Sequence, residues 1–260
     1  MPPNATQMTT DEHHEPVEPQ GPSLPEPTFK TEPAAPEARP DEKIGGFAFF
    51  LSLSVLLPLG LVLLFLTLSH VPMDGEALTI FSGAWVAGVV ACQVFIRGHV
   101  SVLIHESKHA IVSNLVGNKR KGMKIGEHSG HFVYAYSKRT AHMNALISLA
   151  PYILPVFTLV GMLAAAAALR KDHAMAVLLV GICYGVDTAL NVRDISPIQT
   201  DINEIRGGYG VGLLYIFAWN LTIFGVLLAW VFSGLIGLGI LLEQITASFV
   251  HAYLLATGAS

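Results

Sequence analysis

Residues 44–69 run for 26 positions without a single charged side chain. A helix needs about 20 apolar residues to cross a hydrocarbon core of about 30 Å, so this stretch is long enough to span. Pro58 and Gly60 fall inside it, and membrane helices tolerate both because neighbouring groups re-satisfy the freed backbone. The pattern then repeats. Residues 78–116 form a second apolar run, too long for one ordinary crossing, which predicts either one long helix or a break near Arg97 and Gly98. Residues 144–169, 174–190, 209–231 and 235–255 are each long enough to span or nearly so. The expected fold is therefore all-α, a polytopic membrane bundle of about six transmembrane helices.

Composition separates this membrane part from what precedes it. Hydrophobic residues make up 52% of the chain and charged residues only 13%, against roughly 25% charged in soluble domains. Residues 1–43 hold nine of the nineteen acids and ten of the fifteen prolines. So polar a segment cannot bury enough apolar surface to offset its chain entropy, and it is expected to be a disordered tail. The domain division is a tail over 1–43 and a transmembrane domain over 44–260. The net charge of −4 comes from the tail, so nucleic acid is not an expected partner. Cys92 and Cys183 both lie in apolar runs and read as free thiols.

The loop over 117–142 carries Lys119, Arg120, Lys121, Lys124, Lys138 and Arg139. Positive loops stay in the cytoplasm, which with about six crossings puts both termini and the polar stretch 191–208 on that side too. Within the loop, residues 130–136 alternate in a β-like way after a glycine-rich turn, predicting a small surface hairpin. The compact core suggests a bacterial cell inner membrane.

The chemistry is concentrated in His105-Glu106-Ser107-Lys108-His109. On a helix the two histidines are about 40° apart, so both imidazoles can reach one ion. Glu106, about 100° from His105, is placed to act as a general base toward water. Arg97, Ser101 and Ser113 extend the same i+4 ladder, and such a polar stripe belongs against a water-filled cavity rather than lipid. Lys108, off the stripe, reads as pairing with an acid or reaching for headgroups.

Catalytic zinc has three protein ligands, and the helix supplies two. Asp187, Asp194 and Asp201 in the later polar region, and His128 and His131 in the basic loop, are the candidates for the third. Asp201 has a structural explanation as well, as a cap for the segment INEIR with Glu204.

An H-E-x-x-H on an apolar helix, several spans, and a distal aspartate following a proline together resemble the site-2 protease family of intramembrane zinc metalloproteases. In that family an Asn/Pro-containing stretch ending in Leu-Asp-Gly supplies an aspartate ligand. The matching stretch here is NVRDISPIQTDI, with Asn191, Pro197 and Asp201 in the corresponding places, and Thr200-Asp201-Ile202 standing where the family has Leu-Asp-Gly. The resemblance implies one Zn2+ per chain on His105, His109 and Asp201, Glu106 as the catalytic base, and a transmembrane protein in the lipid bilayer as substrate. Alternatives from other classes are a metal transporter, an inactive scaffold, or a metal-dependent lipid hydrolase. A transporter would spread its ligands over several spans, and a scaffold has no need of Glu106.

Overall fold

The computed structural model describes residues 43–126, 129–168 and 172–258. The expected disorder over 1–43 falls almost wholly outside them, as does His128.

Helix α1 (Phe47–His70) accommodates Pro58 without interruption. Helix α2 (Gly75–Phe95) starts at Asp74, whose carboxylate accepts from the amides of Glu76 and Ala77 at 2.9 and 3.1 Å. That satisfies two of the donors a helix start leaves open. The run over 78–116 is broken, as the Arg97–Gly98 alternative allows. Gly98 takes a φ of +53°, open to glycine at little cost, and helix α3 (His99–Leu115) begins there. The break also leaves the Ile96 carbonyl free, and Arg193 Nη1 donates to it at 2.7 Å.

A hairpin follows: β1 (Lys119–Ile125) pairs antiparallel with β2 (Gly130–Ala135), Met123 opposite Phe132, with an irregularity between Arg120 and Gly122. After a 3-10 turn, Ala141–Met143, come α4 (Asn144–Ser148), α5 (Ala150–Ile153) and α6 (Val156–Ala168). The expected span over 144–169 is thus a broken one, bent by 69° where Leu154 and Pro155 intervene. Proline has no N–H to continue the ladder. Helices α7 (His173–Asp194), α8 (Thr200–Asn203) and α9 (Gly208–Thr257) complete the chain.

Helix α9 is not straight. Ser233 and Gly234 leave helical geometry, and a Cβ on Gly237 would strike the Ala229 carbonyl eight residues earlier. Those positions stand about 12 Å apart along an unbroken helix, so α9 folds back on itself. Among the described residues four helices, α1, α2, α7 and α9, are long and apolar enough to cross a membrane, and the bent α4–α6 unit would make a fifth. Helix α3 has 17 residues and is not among them.

Two parallel pairings organise the bundle. The Phe49 and Tyr215 rings stack at 4.5 Å and Thr67 Oγ1 donates to the Gly225 carbonyl at 3.1 Å, so α1 and the start of α9 run the same way. Phe81 stacks on Tyr184 at 5.9 Å, and Trp85 Nε1 donates to Thr188 Oγ1 at 3.3 Å, so α2 and α7 do likewise. Gly88 and Gly185 let those two backbones touch, since a Cβ on either would collide with a carbonyl of the other helix. Helix α6 packs antiparallel to α7, Thr158 meeting Asp187 and Gly161 meeting Cys183.

Candidate metal centre

Helix α3 presents His105 and His109 one turn apart, and α8 brings Asp201 between them. His105 Nε2 is 3.2 Å and His109 Nε2 3.3 Å from the same Asp201 Oδ2. One ligand atom from each of the three residues lies within 4.8 Å of the others. Tetrahedral zinc with ligand bonds of about 2.0–2.1 Å holds its ligand atoms about 3.3 Å apart. The two distances to Asp201 match that spacing.

The opposite edge of each imidazole is also engaged. His105 Nδ1 lies 3.0 Å from Asp194 Oδ2, and His109 Nδ1 lies 2.7 Å from the Ile147 carbonyl. Both acceptors call for a proton on Nδ1, so in the neutral rings the Nε2 lone pairs point at a carboxylate oxygen. Converging lone pairs repel unless a proton or a metal ion stands among them, and donation from the far ring nitrogen is how metal-ligating histidines are held.

Local structure explains how each group reaches its place. Asp194 is the last residue of α7, and its neighbour Arg193 approaches it at 3.6 Å while also contacting Ser101 on α3. Asp201 sits in the first turn of the short α8, and its backbone carbonyl accepts from Ser148 Oγ at 3.0 Å. It is not the cap of that helix, a position held by Gln199. Burial raises the Asp201 carboxyl, but hydrogen bonds and charge from His105 and His109 outweigh it and hold the group well below the usual carboxylate range. Glu204 nearby is pushed upward, by burial and then by the Asp201 charge.

Glu106 is buried beside the histidines and lines, with them and Asp201, a cavity of about 640 Å³. Strand β2 forms its opposite wall. A Cβ on Gly130 would come within 2.5 Å of Glu106 Cγ and Oε1, so glycine is what lets the strand lie directly against this carboxylate. His131 lines the cavity from an exposed position and does not join the triad.

Asp187 lies elsewhere, 1% exposed, with Oδ1 3.7 Å from Lys108 Nζ and Oδ2 accepting from Thr158 N and Oγ1 at 2.7 and 2.8 Å. Lys108 Nζ also donates to the Pro151 carbonyl and to Asn191 Oδ1, both at 3.0 Å. This charged cluster ties α3 to α7 and to the break before α6. In the sequence the family resemblance points to Asp201 as the third ligand, while the places of Asp187 and Asp194 are not distinguished. Nor is the Ile147 carbonyl singled out there, a backbone group that carries no sequence signal.

Comparison of the chain with protein-family models, with curated proteins and with solved structures returns no match.

Proposed function

We propose that this protein is an intramembrane zinc metalloprotease, similar to the site-2 protease family, which hydrolyses a peptide bond in or near a transmembrane segment. The observation that carries this reading is the convergence of His105 and His109 Nε2 on Asp201 Oδ2, with Glu106 beside them in one cavity. Two imidazoles and a carboxylate suit zinc, with a fourth position left for water or substrate. When bound, the ion supplies Lewis-acid polarisation of a carbonyl and lowers the pKa of water.

The chain's own residues do the rest. Glu106 takes the proton of the attacking water and passes it to the leaving amine as the C–N bond breaks. Asp194 and the Ile147 carbonyl hold the two rings in the tautomer that leaves Nε2 free to bind. A helical substrate hides its carbonyls in its own hydrogen bonds and must unwind to be cut. Strand β2 pairs with β1 alone among the described residues, and its Phe132 and Tyr134 line the cavity. An unwound segment laid along that edge as an added strand would reach Glu106.

The packing supports a topology that admits water to the site. With the basic hairpin cytoplasmic, α2 ends on that side, and α7, parallel to it, ends there too with Asp194 and Asp201. Helix α1 and the first limb of α9 then leave the cytoplasmic face together, and the second limb returns. Six crossings result: α1, α2, the bent α4–α6, α7 and the two limbs of α9. Helix α3 lies at the cytoplasmic end of α2 without crossing, and both termini are cytoplasmic.

The test is zinc content and cleavage of a panel of single-span peptides by the purified protein and by Glu106→Gln. About one zinc per chain in both, with cleavage by the unmutated protein alone, is expected. Zinc in both with no peptide cut would move the reading to a lipid hydrolase. No zinc after metal supplementation would overturn it.

A further inference from the structure

One buried hydroxyl stands against the candidate metal centre with Asp201 and Gln199 beside it but no well-formed hydrogen bond to either. Tyr152 on α5 is 0% exposed, and its Oη makes no hydrogen bond. Its ring meets the His105 ring edge to face, centroids 5.7 Å apart and planes at 84°. The polar and charged groups that act on the hydroxyl are Asp201, Gln199 and Asp194. Buried hydroxyls without a partner are costly and uncommon in native proteins, and each calls for an explanation such as a catalytic role or a bound ion or water.

Packing does not explain it. The ring lies in a cluster with Leu149, Ile153, Ile202 and Ala218, where phenylalanine would serve as well. Its backbone is pinned, since Asn220 Nδ2 donates to the Tyr152 carbonyl at 3.0 Å. Asp201, by contrast, rides on a four-residue helix, and its carboxylate faces His105 and His109 at 3.2 and 3.3 Å. A ligand on so short an element needs a further contact to fix its orientation, because metal-ligating carboxylates are themselves hydrogen-bonded.

We propose that Tyr152 is a positioning residue for Asp201, its phenol donating to the carboxylate when an ion is held. The Gln199 amide, at the cap of α8, donates in turn to the phenol oxygen. This rests on reading His105, His109 and Asp201 as metal ligands.

Tyr152→Phe removes the hydroxyl and keeps the ring. In the full chain in detergent, zinc affinity is measured by competition with a chromophoric chelator, Co2+ substitution by its visible spectrum, and folding by the Tm of the metal-free protein. Zinc affinity is expected to fall about 10–100-fold with a changed Co2+ spectrum and an unchanged metal-free Tm. Unchanged affinity and spectrum would overturn the proposal, and so would a lowered Tm with affinity intact, which marks a merely structural hydroxyl. Gln199→Leu, which removes the second partner, is expected to weaken zinc binding in the same direction. That variant decides the matter if Tyr152→Phe does not fold, unchanged affinity again overturning the proposal. Failure of the unmutated protein to bind zinc would instead sink the metal centre itself, and this inference with it.

Discussion

His105 stands between two aspartates, with Asp194 Oδ2 at 3.0 Å from its Nδ1 and Asp201 Oδ2 at 3.2 Å from its Nε2. The two carboxylates have different work. Asp194 fixes which nitrogen carries the proton, and Asp201 faces the nitrogen left free. Asp194→Asn is therefore expected to weaken zinc binding about 10–100-fold without abolishing it. Asp201→Asn removes a proposed ligand and is expected to cost more. A chelator titration that ranked the two in the opposite order would reverse the assignment.

Lys108 and Asp187 are both almost wholly inaccessible, at 2% and 1% exposed. Removing one charge leaves the other buried and unpaired, a loss of about 3–5 kcal/mol. Lys108→Met should lower the Tm strongly in detergent, and Lys108→Met with Asp187→Leu should recover part of that loss. If the double variant is no more stable than the single, the two charges do not depend on each other.

Gly130 is the point where the hairpin touches Glu106 on α3. Gly130→Val would drive its side chain into Glu106 Cγ and Oε1, where even a Cβ stands at 2.5 Å. Peptide cleavage should fall through the displaced base, by up to the roughly 10²–10⁴-fold that general-base catalysis supplies. Zinc content should be unchanged, because none of the three ligands is displaced. Full activity in this variant would show that β2 does not press on Glu106 in the proposed reaction.

The proposed topology can be tested by labelling. Cysteine placed at exposed Ser137, beside the hairpin, should react with a membrane-impermeant maleimide only from the cytoplasmic side. Cysteine at Met73, 66% exposed between α1 and α2, should react only from the other. Labelling of both from one side would require a different path for the chain.

Much of this was legible in the sequence, for reasons local to the chain. Uncharged runs declare membrane helices because hydrocarbon tolerates no unpaired backbone and few charges. The H-E-x-x-H spacing puts His105 and His109 side by side because helical periodicity alone sets two side chains on one face. The glycine at position 98 and the pair Ser233-Gly234 mark breaks at places where the apolar runs were already too long or divided.

What the tertiary structure decided is how residues far apart in sequence divide a task. Asp187, Asp194 and Asp201 lie seven residues apart in turn, and beyond the resemblance that points to Asp201 nothing in their local sequence tells which aspartate meets Lys108 and which meets His105. The end of α7 sets the roles. Asp187 faces the α6 break inside the helix, Asp194 ends it against His105, and Asp201 returns on α8 to the far side of the same ring. Periodicity is a property of a single segment and survives in one-dimensional sequence. The meeting of α3 with α7 and α8 is made by packing between segments some 90 residues apart, and only the folded chain records it.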